Sequence, residues 1–463
     1  MTSSQPPDPD SAPAHSAPAH SAPADSASSG SAPARRAIAA VWRIESPRLI
    51  AGLVRIVRDL DLAEELAQDA LVAALEQWPG EGVPRNPGAW LMTTAKRRAI
   101  DLVRREQRLA GKLDRFGHQL AAEPAPGPEQ LAEQSEEIED DLLRLVFTAC
   151  HPVLATEARV ALTLRLLGGL TTDEIARAFL VAESTVAQRI VRAKRSLARA
   201  EVPFEVPAGP ELARRLDSVL EVIYLIFNEG YAATAGDDWM RPGLCEDALR
   251  LGRVLAELVP GESEVHGLVA LLEIQASRAA ARAGVDGAPV LLLDQDRARW
   301  DQLLIHRGLA ALERAEQLAA GPLGPYALQA SIAACHVRAG SPERTDWVRI
   351  AALYEALARR APSPVVELNR AVALGMAFGP AVGLDLLDQL REEPALRGYH
   401  LLPAVRGDLL AKLGRPAEAR AEFERAAELT RNGRECALLL DRAAACGRAA
   451  GRDASANGGE PVD

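Results

Sequence analysis

From Ile44 to Arg108 the apolar positions recur with helical period, and the segment has two characters. Asp61 to Trp78, DLAEELAQDALVAALEQW, places Leu62, Leu66, Ala70 and Leu75 on one face, with Glu64, Glu65, Gln68 and Asp69 beside it. A Pro/Gly loop, PGEGVPRNPG, is expected next, ending at Gly88. In AWLMTTAKRRAIDLVRREQR, Trp90, Leu91, Ala95, Ile100 and Val103 can form a buried stripe. Lys96, Arg97, Arg98, Arg104, Arg105 and Arg108 crowd the remainder. An acidic helix, a loop and a basic helix thus stand in sequence.

A second helical block spans Glu139 to Ala200 and contains TTDEIARAFLVAESTVAQRIVRAKRSL. Thr171 followed by Glu174 is a capping box that opens a helix burying Ile175, Ala176 and Phe179. The helix after it should bury Val186, Ile190, Ala193 and Leu197. At about 100° per residue, Ser184, Gln188, Arg192, Arg195 and Arg199 then project on the opposite side. An apolar back with a front of amides and guanidinium groups is what a groove-reading helix requires. The short connection makes the pair a helix-turn-helix. Its turn lacks the usual glycine: Leu180 and Val181 stand there, and Ala182 holds the capping position of the second helix.

The expected domain order follows from breaks in this pattern. Residues 1–36 form a Ser/Ala/Pro-rich tail with nothing large to bury, and His15 and His20 in it are passive. Residues 37–110 make the first module, 111–137 an acidic, Pro-containing linker, and 138–202 the helix-turn-helix module. A helical extension covers 203–450, and 451–463 is a polar tail. Within the extension, Gly407, Ala419, Phe423 and Ala426 match the small and aromatic positions of a tetratricopeptide-type (TPR) hairpin. Ala371, Gly383, Leu387 and Leu390 repeat them 36 residues earlier (407 − 371). Asn228-Glu229-Gly230-Tyr231 reads as a Gly-capped helix end with a buried Tyr or as a docking contact with the preceding modules. Asp294 to Arg297 with Trp300 reads as a charged helix start or a ligand pocket.

Composition narrows the function classes. Of 463 residues, 48% are hydrophobic and only 4% aromatic, which favours Ala/Leu-packed helices and an all-α fold. The net charge of −11 argues against a general nucleic-acid coat protein, so basic surfaces must be local. Five well-separated cysteines without a C-x-x-C pair fit reduced thiols in a cytoplasm. The chain shows no apolar leader region and no stretch near the roughly 20 apolar residues of a membrane span. No P-loop or H-E-x-x-H is present, and Cys150 and His151 are adjacent on a helix and point apart. A non-catalytic protein without cofactor or metal is expected.

The strings DLAEELAQDAL, NPGAWLMTTAKRRAIDLVRR and EIARAFLVAESTVAQRIVRAKRSL resemble the extracytoplasmic-function (ECF) sigma factors of the sigma-70 family. YLIFNEGYAAT, DQDRARW, GPYALQASIAACH, TDWVRIAALYEAL and PSPVVELNRAVA resemble the subgroup with a long TPR-like C-terminal extension. The resemblance implies a factor that directs core RNA polymerase to promoters and helps to open them. Asp61, Glu64, Glu65, Gln68 and Asp69 would dock on the clamp helices of the largest polymerase subunit. Trp78, Arg85 and Asn86, with Lys96, Arg97, Arg98, Asp101, Arg104 and Arg105, would capture and hold the opened −10 element. Arg97 stands where many relatives carry Asn. Ser184, Thr185, Gln188, Arg189, Arg192, Arg195 and Arg199 would read the −35 element, with the polymerase flap as a second contact. The extension could bind a protein or peptide partner, or clamp the two sigma modules. Two other readings are a stand-alone DNA-binding regulator and a scaffold whose basic helices are only solvated faces.

Overall fold

The computed structural model describes residues 31–109, 140–284 and 287–457. Residues 1–30 of the first expected tail, 458–463 of the second, and the whole 111–137 linker lie outside these residues. The described chain is almost entirely α-helical. Helices α1 (Ser31–Val57), α2 (Leu60–Glu81) and α3 (Pro87–Leu109) make the first module. The second comprises α4 (140–149), α5 (Thr156–Leu166), α6 (Thr172–Phe179) and α7 (Glu183–Arg199). The extension begins with α8 (Pro210–Tyr231), α9 (Pro242–Leu258) and α10 (Ser263–Ala276). It continues through α11 (Gln302–Leu318), α12 (Pro325–Arg338), α13 (Trp347–Arg360), α14 (Pro364–Phe378) and α15 (Pro380–Leu390). It closes with α16 (Leu401–Lys412), α17 (Pro416–Leu429) and α18 (Gly433–Asn457). No described helix is long and apolar enough to cross a membrane.

Three boundaries differ from expectation. Helix α1 starts at Ser31, inside the segment read as tail, and α18 continues to Asn457. Helix α2 runs through Pro79 and Gly80 to Glu81, so the loop before α3 shrinks to residues 82–86. The buried stripe of α2 is Ala63, Ala67, Ala70, Ala74 and Trp78, spaced four, three, four and four apart. Leu75 and Glu64 both flank that stripe; Leu75 is 42% exposed, whereas Glu64 is buried at the other end of the helix.

The two modules and the start of the extension share one hydrophobic core, from Ile38 of α1 through Phe147 and Leu162 to Phe227 and Leu272. They are therefore packed together rather than strung as separate beads. Polar contacts stitch the same seams. Arg55 of α1 lies 3.0 Å from the buried Asp141 carboxylate of α4. Arg43 pairs with Glu174 at 3.2 Å. Arg215 of α8 donates to the Phe147 carbonyl at 2.7 Å, and Ser218 to that of Cys150 at 2.6 Å. The extension thus packs on the helix-turn-helix module.

Gly230 lies within α8 and is not the cap; Ala232 is. A Cβ at Gly230 would come 2.7 Å from the Cys245 nitrogen, so glycine is needed for the close approach of α9. Tyr231 is half-buried and stacks on Phe227, as a partly buried Tyr would. Asp294 to Arg297 fall in and between two short 3-10 turns. The helix start lies beyond the buried Trp300, where Asp301 caps α11 through the N–H groups of Leu303 and Leu304.

The repeat reading is visible as two hairpins, α14/α15 and α16/α17. In the second, Gly407, Ala419, Phe423 and Ala426 are buried, and a Cβ on Gly407 would meet the Phe423 ring at 2.9 Å. In the first, Ala371, Gly383 and Leu387 are buried, with Gly383 against the Ala371 carbonyl. The last hairpin returns to the beginning of the extension. Two-residue strands β1 (Ala235–Gly236) and β2 (Arg431–Asn432) pair in parallel. The buried Asn432 amide donates to the carbonyls of Ala233 and Asp238 at 3.0 and 2.9 Å. Its oxygen accepts from the N–H groups of Arg434 and Glu435. One side chain thereby clasps segments nearly 200 residues apart in sequence.

Candidate nucleic-acid interface

Helix α7 has the predicted two-sided build. Val186, Ile190, Ala193 and Leu197 are buried, and Ser184, Gln188, Arg192, Arg195 and Arg199 are exposed on the other side. Thr185 and Arg189 are half-buried. One residue beyond Gln188, Arg189 is rotated about 100° off the front and lines a cleft with Phe179 and Tyr399 of the extension. The helix before it is fixed by a complete capping box: Thr171 Oγ1 accepts from Glu174 N at 3.1 Å, and Thr171 N donates to the Glu174 carboxylate at 2.8 Å. Leu180 occupies the left-handed turn position, φ 50° and ψ 45°, a conformation that costs a non-Gly residue about 1–2 kcal/mol. Its side chain packs on Gly236, where a Cβ would come 2.7 Å from Leu180 Cδ1. The turn residue is thus a contact between the helix-turn-helix and the extension, which a glycine could not supply.

On α3, Arg97, Arg98, Asp101 and Arg105 are exposed, and Lys96 and Arg104 are half-buried. Arg85 and Asn86 are exposed in the preceding loop, where the Asn86 carboxamide oxygen accepts from Ala89 N at 3.0 Å and caps α3. Trp78 does not belong with them. It is 2% exposed and meets Trp90 edge-on at 5.3 Å, so its indole serves the core and cannot receive a base. The misreading came from ending α2 at Trp78.

The acidic residues of α2 separate into two sets. Glu65 and Asp69 are exposed, and Asp69 pairs with Arg98 at 3.0 Å. Glu64 faces the second module instead, with its side chain 9% exposed. Lys194 of α7 places Nζ 2.6 Å from Glu64 Oε2 and 2.7 Å from Asp61 Oδ1. Arg165 of α5 lies 2.6 Å from Glu64 Oε1, and Gln68 donates to the same oxygen at 3.0 Å. Burial alone would raise the Glu64 carboxyl, but Arg165 and Lys194 outweigh it and hold it below its ordinary value. Burial would likewise lower Lys194; Glu64 and Asp61 outweigh it and raise its ammonium above the usual range. Lys194 and Arg165 were not picked out from the sequence, because a charge flanking an apolar stripe looks the same whether it meets water or a partner helix.

The thiol at Cys150 is buried, pushed up to about 11 by burial, and lies 3.3 Å from the Thr163 hydroxyl. His151 accepts from Val153 N at 3.1 Å. The two do not pair. All five cysteines are free thiols.

Comparison with known proteins attaches families to these modules. Residues 42–109 match the Sigma-70 region 2 model and 144–197 the Sigma-70 region 4 model. The ECF RNA polymerase sigma factor SigK of Mycobacterium tuberculosis is 32% identical over 165 residues, which are 35% of this chain and 83% of SigK. The chain belongs to the ECF RNA polymerase sigma factors. The SigK of Mycobacterium ulcerans is 30% identical over 167 residues, 35% of this sigma factor and 84% of that one. An uncharacterized protein of Rhizobium meliloti is 44% identical over 415 residues, covering 86% of this sigma factor and 94% of the relative, so the extension is shared too. Residues 215–316 match a family of unknown function, DUF6596. Yeast Tom70 superposes on 86% of the sigma factor and 82% of its own chain at 12% identity, with a TM-score of 0.34. As a sigma factor the chain has core RNA polymerase and promoter DNA as its partners.

Proposed function

We propose that α7 reads the −35 element through Ser184, Gln188, Arg192, Arg195 and Arg199, and that Arg85, Asn86 and the cationic face of α3 hold the opened −10 strand. The observation that carries this is the two-sided build of α7, whose polar front is exposed while its back is locked into the core. The acidic face of α2 docks on the clamp helices of the polymerase, with Glu65 and Asp69 accessible at once and Asp61 and Glu64 engaged by Lys194. The flap of the polymerase is the expected seat of the second module. The protein works in the cytoplasm as a non-catalytic initiation factor.

Geometry adds a resting state to this reading. Elements at −10 and −35 are 25 base pairs apart, roughly 85 Å along B-DNA at about 3.4 Å per pair. Helices α2 and α7 touch, so the closed chain cannot occupy both elements together. Chain length alone lets segment 110–139 reach roughly 100 Å at most, enough to permit separation. We infer that polymerase binding replaces the Lys194–Glu64 contact and parts the modules. Flipping a base out of the duplex costs a few kcal/mol, which backbone contacts from α3 offset.

Run-off transcription with purified core polymerase and a matched promoter tests the function. Initiation at one defined start site is expected from the full chain and not from core alone. Equal transcription without the chain would overturn the assignment.

A further inference from the structure

The inner surface of the extension encloses a cavity of about 550 Å³ between α8, α10, α12, α13 and α14. Leu271, Ile332 and Val366 supply apolar wall, and no carboxylate lines it. Arg278 does line it and is 8% exposed. Its Nη2 donates to the Tyr231 hydroxyl at 2.6 Å and to Gln275; its buried Nε has no hydrogen-bond partner among the described residues. No Asp or Glu lies within ion-pairing distance of it among those residues. Neighbouring Arg282, 7% exposed, sits much closer over the Tyr231 ring, 3.4 Å against 5.9 Å for Arg278.

A buried guanidinium without a counter-charge is costly, and proteins normally pair such a group or neutralise it with a ligand. The surroundings lean the same way. His336, 8% exposed on the cavity wall, is pushed down to about 4 by burial and by Arg278 and Arg297, so its ring is neutral at pH 7 in a positive field. Asn228, Asn369 and the Tyr354 hydroxyl also line the cavity, and their side chains make no hydrogen bond among the described residues. Donors without partners, a buried cation with no carboxylate beside it among the described residues, and apolar walls together describe the complement of an amphipathic anion.

We propose that this cavity binds a small organic anion, a carboxylate or phosphate monoester on an apolar body, with the oxyanion on Arg278 and hydrogen bonds from Asn228, Asn369 and Tyr354. The site does not depend on the assignment of the promoter-reading surfaces.

The test uses the full chain, titrated with benzoate, phenyl phosphate, inorganic phosphate and the neutral benzyl alcohol by calorimetry and thermal shift. Saturable 1:1 binding of benzoate or phenyl phosphate is expected, with benzyl alcohol inert; which of the two binds identifies the oxyanion. Arg278→Gln should weaken binding about tenfold or more, the scale of a charge-assisted hydrogen bond. Because Arg278 also holds Tyr231, the variants Asn369→Ala and Tyr354→Phe provide a second reading, each weakening binding several-fold with the melting curve of the unliganded protein retained. Saturable binding by none of the anions, an equal response to benzyl alcohol, or affinity unchanged in all three variants would each overturn the proposal. Inorganic phosphate binding as tightly as phenyl phosphate would overturn the apolar part of it.

Discussion

Lys194 Nζ stands 2.6 Å from Glu64 Oε2, so the reading helix of one module neutralises a buried carboxylate of the other. Removing one partner of a buried pair leaves an uncompensated charge and typically costs about 3–5 kcal/mol. Arg165 still pairs with Glu64 at 2.6 Å after that change, so Lys194→Met should lower stability by less than this, seen as a modest drop in the urea midpoint. The pH dependence has a defined sign. Glu64 is depressed below 4.5, so its contribution is complete above that value and is lost as pH falls through the lower folded value. Lys194 is raised above 10.5, so its contribution is complete below that value and is lost as pH rises past it. The stability gap between wild type and Glu64→Gln should be flat through neutrality and shrink below about pH 4.5.

Asp69 is exposed and, among the described residues, forms a solvated ion pair with Arg98, so reversing its charge should leave the fold intact. Asp69→Arg is expected to weaken association with core polymerase, measured by co-purification, with an unchanged circular dichroism melt. Unchanged co-purification would remove the docking assignment for α2.

Gln188 and Arg192 project from the exposed front of α7 and contact nothing that the fold needs. Gln188→Ala and Arg192→Ala should each cost about 1–3 kcal/mol in −35 discrimination if they reach base edges. Competition transcription between matched and −35-mutated promoters reads this. A uniform loss on both promoters would make them phosphate contacts instead.

Asn432, itself buried, makes four hydrogen bonds that close the extension on itself. Asn432→Ala leaves the Ala233 and Asp238 carbonyls without that donor and should cost about 1–3 kcal/mol or more. Hydrogen exchange should rise first in α18 and in the segment after α8, ahead of the helix-turn-helix. Uniform exchange across the chain would contradict the clasp.

Much of this architecture is legible in the sequence because it is local. The four apolar positions of α7, the Thr171–Glu174 box and the 36-residue recurrence that ends in Gly407 and Phe423 are set by helical period and capping, and the structure has them all. What escapes is decided by contacts between distant segments. Glu64 and Leu75 fall on nearly the same face of α2, about three turns apart. Glu64 is buried because Lys194 and Arg165 of the second module cover its end of the helix, while Leu75 stays exposed. Trp78 looked available because a Pro-Gly pair follows it, yet those residues fit the last turn of α2. Gly230 imitates a helix cap in sequence and is a helix crossing in space.

The most direct test is the distance between the two modules. Labels at Arg98 and Arg195, both exposed, can be followed by single-molecule energy transfer in the free chain and on core polymerase. A single short distance is expected for the free protein, shifting to a long one on polymerase, with Lys194→Glu populating the long state before polymerase is added. A distance that is long in the free chain, or one that stays short on polymerase, would contradict the closed resting state and its opening.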